Sequence, residues 1–379
     1  MKKKKLRVFE TFSGIGAQKA ALERLKDEIG LDYEIVATSD WFINAIECYD
    51  AIHFDGVPPI DLPSHEEQVK ELSKFTFSKD SVNPYNIKHM NKEQLACLYR
   101  AHKRTKNLGS ILDIKSKDVP DCDLLTYSFP CQDLSTGGKT QGMARNSGTR
   151  SGLLWEIERI LKGLYEENRL PEYLLMENVK AIKAPSNEKD LNEWLQFLES
   201  IGYCNEECMI LDASKFGVPQ DRKRAFIVSH LKTPVNISEE KLNHNTNYKL
   251  SDFIHSEQGN PRYQKEYDVA QLNDTESRLK MWDINGKPWR EDLVVHTITC
   301  NMDRSNTSVI FKYNGPKGDT FRLLTIREAF LLMGFTNEEY ERAAKLGLSY
   351  RQMNKLIGNS IVVNVLEEIF RFLFKGKYN

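Results

Sequence analysis

Cys131 stands directly after a proline in the stretch LLTYSFPCQDLS, Leu124 to Ser135. Pro130 has no N–H to give to a strand ladder, so a strand over Leu124–Ser128 must end there and leave the thiol on the following loop. In open α/β sheets that carboxyl edge is where ligands bind, and a cysteine placed there is a candidate nucleophile. Further along, LLMENV places Glu177 and Asn178 at the end of another strand. Flanked by Leu175, Met176 and Val179, the Glu177 carboxyl is expected to be hard to ionise, and a neutral carboxyl can donate a proton or a hydrogen bond. QDRKRAF adds Arg222 and Arg224, which alternation along an entering strand puts on the same side. A nucleophile, an acid and two cations thus gather on one face.

Beyond Cys131, the run STGGKTQGMARNSGTRSG carries five glycines and the cations Lys139, Arg145 and Arg150, with no acidic residue. That is the composition of a mobile lid over an anionic ligand. Near the start, FETFSGIGAQKA sets Gly14 and Gly16 between a strand and a helix, where small residues let a ligand approach the backbone. The three-glycine dinucleotide fingerprint is incomplete, because position 19 is Lys. Asp40 follows Gly16 by 24 residues at a strand end, placed to accept both hydroxyls of a ribose, and Trp41 offers its face to a purine. An adenosine-type cofactor such as S-adenosylmethionine is favoured over NAD. Asp113, in ILDI, is a further strand-end acid for the adenine amino group.

The elements that must position these residues alternate. Strands are expected at Leu6–Glu10, Glu34–Ser39, the SILDI stretch, Leu124–Ser128, Tyr173–Met176, Cys208–Leu211 and Ala225–Ser229. Helices between them include one from Ser151, with Leu153, Ile157, Ile160, Leu161 and Leu164 on one face, and one over Glu188–Leu198. This is an α/β fold with a doubly wound, mostly parallel sheet. It is interrupted by a polar insertion at about 55–107, to which the sequence assigns no role. The expected division is a catalytic and cofactor-binding domain over 1–230, a smaller loop-rich domain over 231–320 and a return segment over 321–379. In that segment NKLIGNSIVVNVLEEIFRFLF reads as one terminal helix with Ile361, Val365, Ile369 and Leu373 on the face that packs on the first domain.

A chain of 379 residues with 40% hydrophobic content can build a sizeable core, and its formal charge of −1 excludes a uniformly basic nucleic-acid binder. Any such binding must use local patches. No run is long and apolar enough for a membrane span, and MKKKKLRVFE lacks the apolar core of a secretory signal. Seven irregularly spaced cysteines argue for reduced thiols in a cytosol-like compartment. No disulfide and no metal site are expected, since Cys204 and Cys208 have no second ligand pair.

Taken in order, FSGIG, PCQDLS, ENV, QDRKR and GNSIVVNV resemble the motifs of the DNA (cytosine-5) methyltransferase family of bacterial and phage type. The resemblance spans nearly the whole chain outside the insertion and the loop-rich region. It implies a Rossmann-like class I methyltransferase fold with target recognition in 231–320. The implied activity is transfer of a methyl group from S-adenosylmethionine to C5 of a cytosine in a specific double-stranded DNA sequence, with the base flipped out. Cys131 would add to C6, Glu177 would protonate or hydrogen-bond N3, and Arg224 would hold O2 with Arg222 supporting it. Phe12, Gly14, Gly16, Asp40, Trp41, Asp113, Ile114 and Pro130 would line the cofactor site, joined by Asn359 and Ser360 from the terminal helix.

Thr297 and Thr299, in HTITCN, resemble the threonine pair that opens the family's base-reading segment. DNA contacts are expected between Thr297 and Ser308, with Lys139, Arg145 and Arg150 helping to hold DNA. The implied partner is double-stranded DNA, not a membrane, and a cognate restriction endonuclease is compatible with the family. A cytoplasmic monomer, on the nucleoid in a bacterium, is expected. The alternative is a transfer-RNA cytosine-5 methyltransferase of the same fold, but its Cys-Phe-Thr tripeptide is absent. An exocyclic amino-methyltransferase would want an Asp-Pro-Pro-aromatic loop where this chain has Ser-Phe-Pro-Cys.

Overall fold

The computed structural model of the chain describes residues 5–378 except 59, 131–133, 135–142, 146–150, 255–262, 274, 279, 281–293 and 303–308. Cys131, Lys139 and Arg150 lie outside the described residues. By its internal contacts the chain divides into two units. The first comprises Met1–Leu211, Lys223–Leu242 and Glu367–Asn379, and the second Asp212–Arg222 and Asn243–Leu366.

The first unit is built on strands β1 (Leu6–Thr11), β2 (Tyr33–Ser39), β3 (Leu124–Tyr127) and β4 (Tyr173–Val179). All of β3 and the first four residues of β4 are buried, the mark of strands covered on both faces. β1 pairs in parallel with β2 on one side and β3 on the other, and β3 pairs in parallel with β4. Next come β5 (Tyr203–Asn205), β6 (Met209–Asp212), β7 (Gln220–Asp221) and β8 (Lys223–Leu231). β8 runs antiparallel to β4 and also pairs β5 and β6, so the sheet order is β2-β1-β3-β4-β8-β5. The strand order reverses between β1 and β3, and in such sheets ligands bind at the carboxyl ends of the strands at that point.

Helices α1 (Ala17–Ile29) and α2 (Ile43–His53) flank β2 in the chain. The insertion has a core of its own, in which α3 (His65–Leu72) and α4 (Lys92–Arg104) bury Leu72, Leu95 and Leu98 with Phe77 and with Ile43 and Ile46 of α2. Capping boxes at Ser64–Glu67 and Asn91–Gln94 start both of its helices. α5 (Leu154–Glu166) and α6 (Pro185–Ser200) then cover the sheet through Ile157, Ile160, Leu161, Leu164, Leu191, Trp194 and Leu198.

The expected strand in SILDI is not one. Asp113 N–H donates to the Ser110 carbonyl at 3.0 Å, closing a turn that buries Ile111 and Ile114 and exposes Asp113. Spacing of three between the isoleucines fits a turn, whereas a half-buried strand would need a spacing of two.

In the second unit, β9 (Val295–His296) pairs in parallel with β7, and β10 (Ile310–Gly315) forms a hairpin with β11 (Gly318–Leu323). Arg322 of β11 is buried, paired with Glu328 at 2.8 Å and lying over the rings of Tyr267 and Phe311. Tyr267 belongs to α7 (Gln264–Ala270).

The boundaries differ from the sequence reading, and the first unit continues past 230 to Leu242. Asp212–Arg222 leaves the first unit because β7 pairs with β9, and most of the return segment, to Leu366, belongs to the second unit. The expected single terminal helix is two, Tyr350–Gly358 and Val363–Phe374. A Cβ on Gly358 would lie 2.4 Å from Cys300 N, so the backbone of another segment packs against the helix where it stops. From Glu367 onward the last helix packs in the first unit, with Phe374 edge-on to Tyr173 at 5.2 Å.

Trp194 fixes the end of β3. It is fully buried, its indole N–H donates to the Tyr127 hydroxyl at 3.2 Å, and its ring contacts Tyr127, Trp155 and Phe197. Trp194→Ala should therefore destabilise the protein by about 3–5 kcal/mol, read as a lowered urea midpoint.

Candidate active site

β1 ends in a turn with three left-handed residues: Phe12 at φ 52°, Gly14 at φ 54° and Gly16 at φ 81°. Glycine adopts that conformation without cost, but a phenylalanine is strained there, and such strain persists only where surrounding contacts enforce it. Gly14 N–H donates to Asp40 Oδ2 at 3.0 Å, and Phe42 N–H donates to Oδ1 at 2.9 Å. Each carboxylate oxygen keeps a further lone-pair direction. Burial pushes the Asp40 carboxyl up to about 6, against the pull of the Phe42, Gly14 and Trp41 backbone N–H groups. Asn107 fixes the residue from both sides: its Oδ1 accepts from Asp40 N–H at 3.0 Å and its Nδ2 donates to the Asp40 carbonyl at 2.9 Å. Trp41 is half-buried beside it. A Cβ on Gly14 would meet nothing within 4 Å, so there is open space over the start of the turn.

The two residues before Cys131 are pinned by their carbonyls. Asn178 Nδ2 donates to Phe129 O at 3.0 Å and Ser151 Oγ donates to Pro130 O at 2.8 Å. Upstream, Thr11 Oγ1 donates to Thr126 O at 2.9 Å, joining β1 to the strand that leads to the loop.

Glu177 lies two residues from the end of β4, and Arg224 pairs with Val179 across the β4–β8 ladder. That register brings Arg224 Nε to 3.5 Å from Glu177 Oε1, with the two side chains 18% and 12% exposed. A guanidinium thus reaches Glu177 from the neighbouring antiparallel strand.

Arg222 precedes β8, so strand alternation does not relate it to Arg224 as expected. It is buried in the second unit and donates to the carbonyls of Ile298 at 2.7 Å, Gly358 at 3.1 Å and Ser360 at 2.7 Å. Gln220 adds to the same bracing, accepting from Ile298 N–H at 3.0 Å and donating to Leu332 O at 2.9 Å. Thr297 Oγ1 donates to Asp221 O at 2.6 Å, and Thr299 Oγ1 accepts from Asn301 N–H at 3.4 Å. Asn359 and Ser360 stand between the two last helices rather than on the terminal one, Asn359 exposed and Ser360 buried. Both lie in the second unit, whereas the glycine turn and Asp40 lie in the first.

Other expected site residues are engaged in the fold. Ile114 is in the core, and its carbonyl and that of Ile111 accept from Arg159 at 2.6 and 3.1 Å. The Arg145 guanidinium lies 3.9 Å from the centre of the Trp155 ring and pairs with Glu158 and Glu193, all within the first unit. Asn107 and Ser151 were not legible as site residues. Each is one polar residue among many, and its partner is distant in the chain.

The architecture is that of the Rossmann-like methyltransferases. The crystal structure of S. pombe Dnmt2 methyltransferase superposes with a TM-score of 0.65 at 21% identity, over 98% of this chain and 99% of that one. A putative DNA modification methyltransferase encoded within an E. coli prophage does so with a TM-score of 0.53 at 15% identity. These are likenesses of fold. In sequence, residues 85–375 match the family described as C-5 cytosine-specific DNA methylase. The orphan methyltransferase M.SssI of Spiroplasma monobiae is 37% identical over 97% of both chains. The type II methyltransferase M2.ScrFI of Lactococcus lactis subsp. cremoris is 32% identical over 98% of this chain and 100% of its own. The chain belongs to the C-5 cytosine-specific DNA methylases and is a DNA (cytosine-5-)-methyltransferase. No helix among the described residues is long and apolar enough to cross a membrane.

Proposed function

We propose that the enzyme transfers the methyl group of S-adenosylmethionine to C5 of a cytosine in a specific double-stranded DNA sequence. The base is turned out of the duplex and bonded through C6 to Cys131 during the transfer. The observation that carries this reading is the Glu177–Arg224 pair, 3.5 Å apart at the same sheet edge as the pinned Phe129 and Pro130 carbonyls.

Cytosine presents N3 and O2 side by side, so a carboxyl and a guanidinium held as neighbours can engage both. C5 is a poor nucleophile. Addition of the Cys131 thiolate to C6 forms a C–S bond and moves the ring electrons so that C5 becomes enamine-like. Glu177 hydrogen-bonds or protonates N3 as those electrons arrive, and Arg224 offsets charge at O2. C5 then attacks the sulfonium methyl, the S–CH3 bond breaking to leave a neutral thioether; the C5 proton passes to water, and its electron pair re-forms the C5–C6 double bond as the C6–S bond breaks to return the thiolate. A base stacked in a duplex cannot reach such a site, so extrusion is required.

S-adenosylmethionine supplies an electrophilic methyl group on a sulfonium. The residues at the turn suit its adenosine: Asp40 has lone pairs left for two ribose hydroxyls, Trp41 offers a ring face, and Gly14 leaves open space beside the backbone. Phe12 and Gly16 shape the same turn. Arg222 acts in this reading as a brace for the Thr297–Thr299 and Gly358–Ser360 segments, because its donors are given to carbonyls there. Lys139 and Arg150 are proposed to meet DNA phosphates, and residues from Thr297 onward to read bases.

Bisulfite sequencing of DNA exposed to the enzyme and S-adenosylmethionine should show protected cytosines in one sequence context. Cys131→Ala should show none while still binding DNA; methylation by that variant at the wild-type rate would overturn the mechanism. A second expectation concerns pH. Asp40 titrates at about 6 without ligand, and hydroxyl donors favour its carboxylate, so the bound form has the lower pKa. Binding therefore expels a proton below that point. Affinity for S-adenosylmethionine should be level above pH 6 and fall by up to about tenfold per unit below it. Calorimetric titration checks this, with Asp40→Asn weak and flat across the range.

A further inference from the structure

Three side chains behind the glycine turn have no task in methyl transfer as described: Glu10 of β1, and Tyr49 and His53 one helical turn apart on α2. A Cβ on Gly16 would lie 2.4 Å from His53 Nε2 and 2.7 Å from Tyr49 Cε2, so both rings fill the side of the turn that Gly16 presents. Gly14, by contrast, presents open space. His53 Nε2 lies 3.0 Å from the Ile15 carbonyl, which only accepts, so Nε2 is the protonated nitrogen. The Tyr49 and His53 rings are 4.8 Å apart and tilted by 59°. The Tyr49 hydroxyl donates to Glu10 Oε2 at 2.8 Å, and Glu10 is fully buried. Burial raises its carboxyl to about 7, against the pull of the Tyr49 hydroxyl and Lys19. Glu10 thus aims Tyr49, Tyr49 backs His53, and His53 holds the peptide between the two glycines.

We propose that Tyr49 and His53, braced by Glu10, are positioning residues for the cofactor: they hold the Ile15–Gly16 peptide from behind and keep the left-handed turn in the shape that receives S-adenosylmethionine. The inference rests on the proposed cofactor site. A turn with left-handed backbone at Phe12, Gly14 and Gly16 persists only where its surroundings over-determine it. Without the clamp, the cofactor itself must order the turn. That cost falls on binding, while the step at the base is left as it was.

The test measures equilibrium binding of S-adenosylmethionine and steady-state methylation by the full-length enzyme and its His53→Ala, His53→Gln, Tyr49→Phe and Asp40→Ala variants. His53→Ala should raise both Kd and KM for S-adenosylmethionine by about three- to tenfold, the worth of one neutral hydrogen bond. KM for DNA should not move, and kcat at saturating cofactor should stay within about twofold. His53→Gln, which keeps an N–H donor for the Ile15 carbonyl, should recover most of the affinity. Tyr49→Phe keeps the ring and loses only the bond to Glu10, so it tests the clamp even if His53→Ala does not fold, and should raise Kd about twofold or more. A purely scaffolding role would lower the thermal midpoint and the active fraction without changing KM. If His53→Ala and Tyr49→Phe bind S-adenosylmethionine as the wild type does while Asp40→Ala is weakened, the cofactor site stands and the clamp is refuted. If the wild type itself fails to bind S-adenosylmethionine, the cofactor reading falls and takes the inference with it.

Discussion

The parallel pairing of β1 with β3, and of β3 with β4, is the constraint on which the site depends. Thr11 pairs with Tyr127, and Tyr127 with Met176, so β1 and β3 end level with each other and β4 runs three residues further at the same edge. The glycine turn leaves β1 there, the Ser-Phe-Pro loop leaves β3, and Glu177 and Asn178 sit at the end of β4. A slip of one residue in this register would turn Glu177 to the other face of the sheet and take Asn178 from the Phe129 carbonyl. The register is held by buried side chains on both faces, with Trp194 fixing Tyr127 on one of them.

β8 supplies what the parallel strands cannot. Running antiparallel to β4, it brings Arg224 level with Val179 and within reach of Glu177. A carboxyl beside a guanidinium offers a donor or acceptor for a ring nitrogen and a fixed cation for the neighbouring carbonyl oxygen. Both groups are mostly withdrawn from water, where such contacts are stronger than in solvent. The residue that precedes β8 has a separate role: Arg222 turns its guanidinium to three backbone carbonyls of the second unit.

What was legible in the sequence was what is local. Pro130 announces the end of β3, and the alternation of strands and helices defines the sheet. Gly14 and Gly16 mark the turn because glycine suits its left-handed backbone, although nothing in FSGIG indicated that Phe12 shares that conformation. What was not legible depends on distant partners. QDRKRAF placed Arg224 on the face of Glu177, but not the antiparallel pairing of β8 with β4 that delivers it. SILDI has a strand's composition but closes a turn whose carbonyls are taken by Arg159. The apolar face of the last segment runs through Asn359 unbroken, yet close packing of Gly358 on Thr299 and Cys300 ends one helix and another starts at Val363. Arg145, read as a cation for DNA, is held over Trp155 between two carboxylates.

The central claim is that Cys131 bonds to the base that receives the methyl group, and trapping that bond tests it most directly. In DNA whose target cytosine carries fluorine at C5, the methyl group can add but no proton can then leave, so the C–S bond cannot be released. Intact-mass analysis after incubation with S-adenosylmethionine should find a species equal to protein plus DNA strand plus one methyl group, with the link mapped to the peptide containing Cys131. Free protein and unmodified strand alone, from an enzyme that methylates ordinary cytosine under the same conditions, would contradict the account.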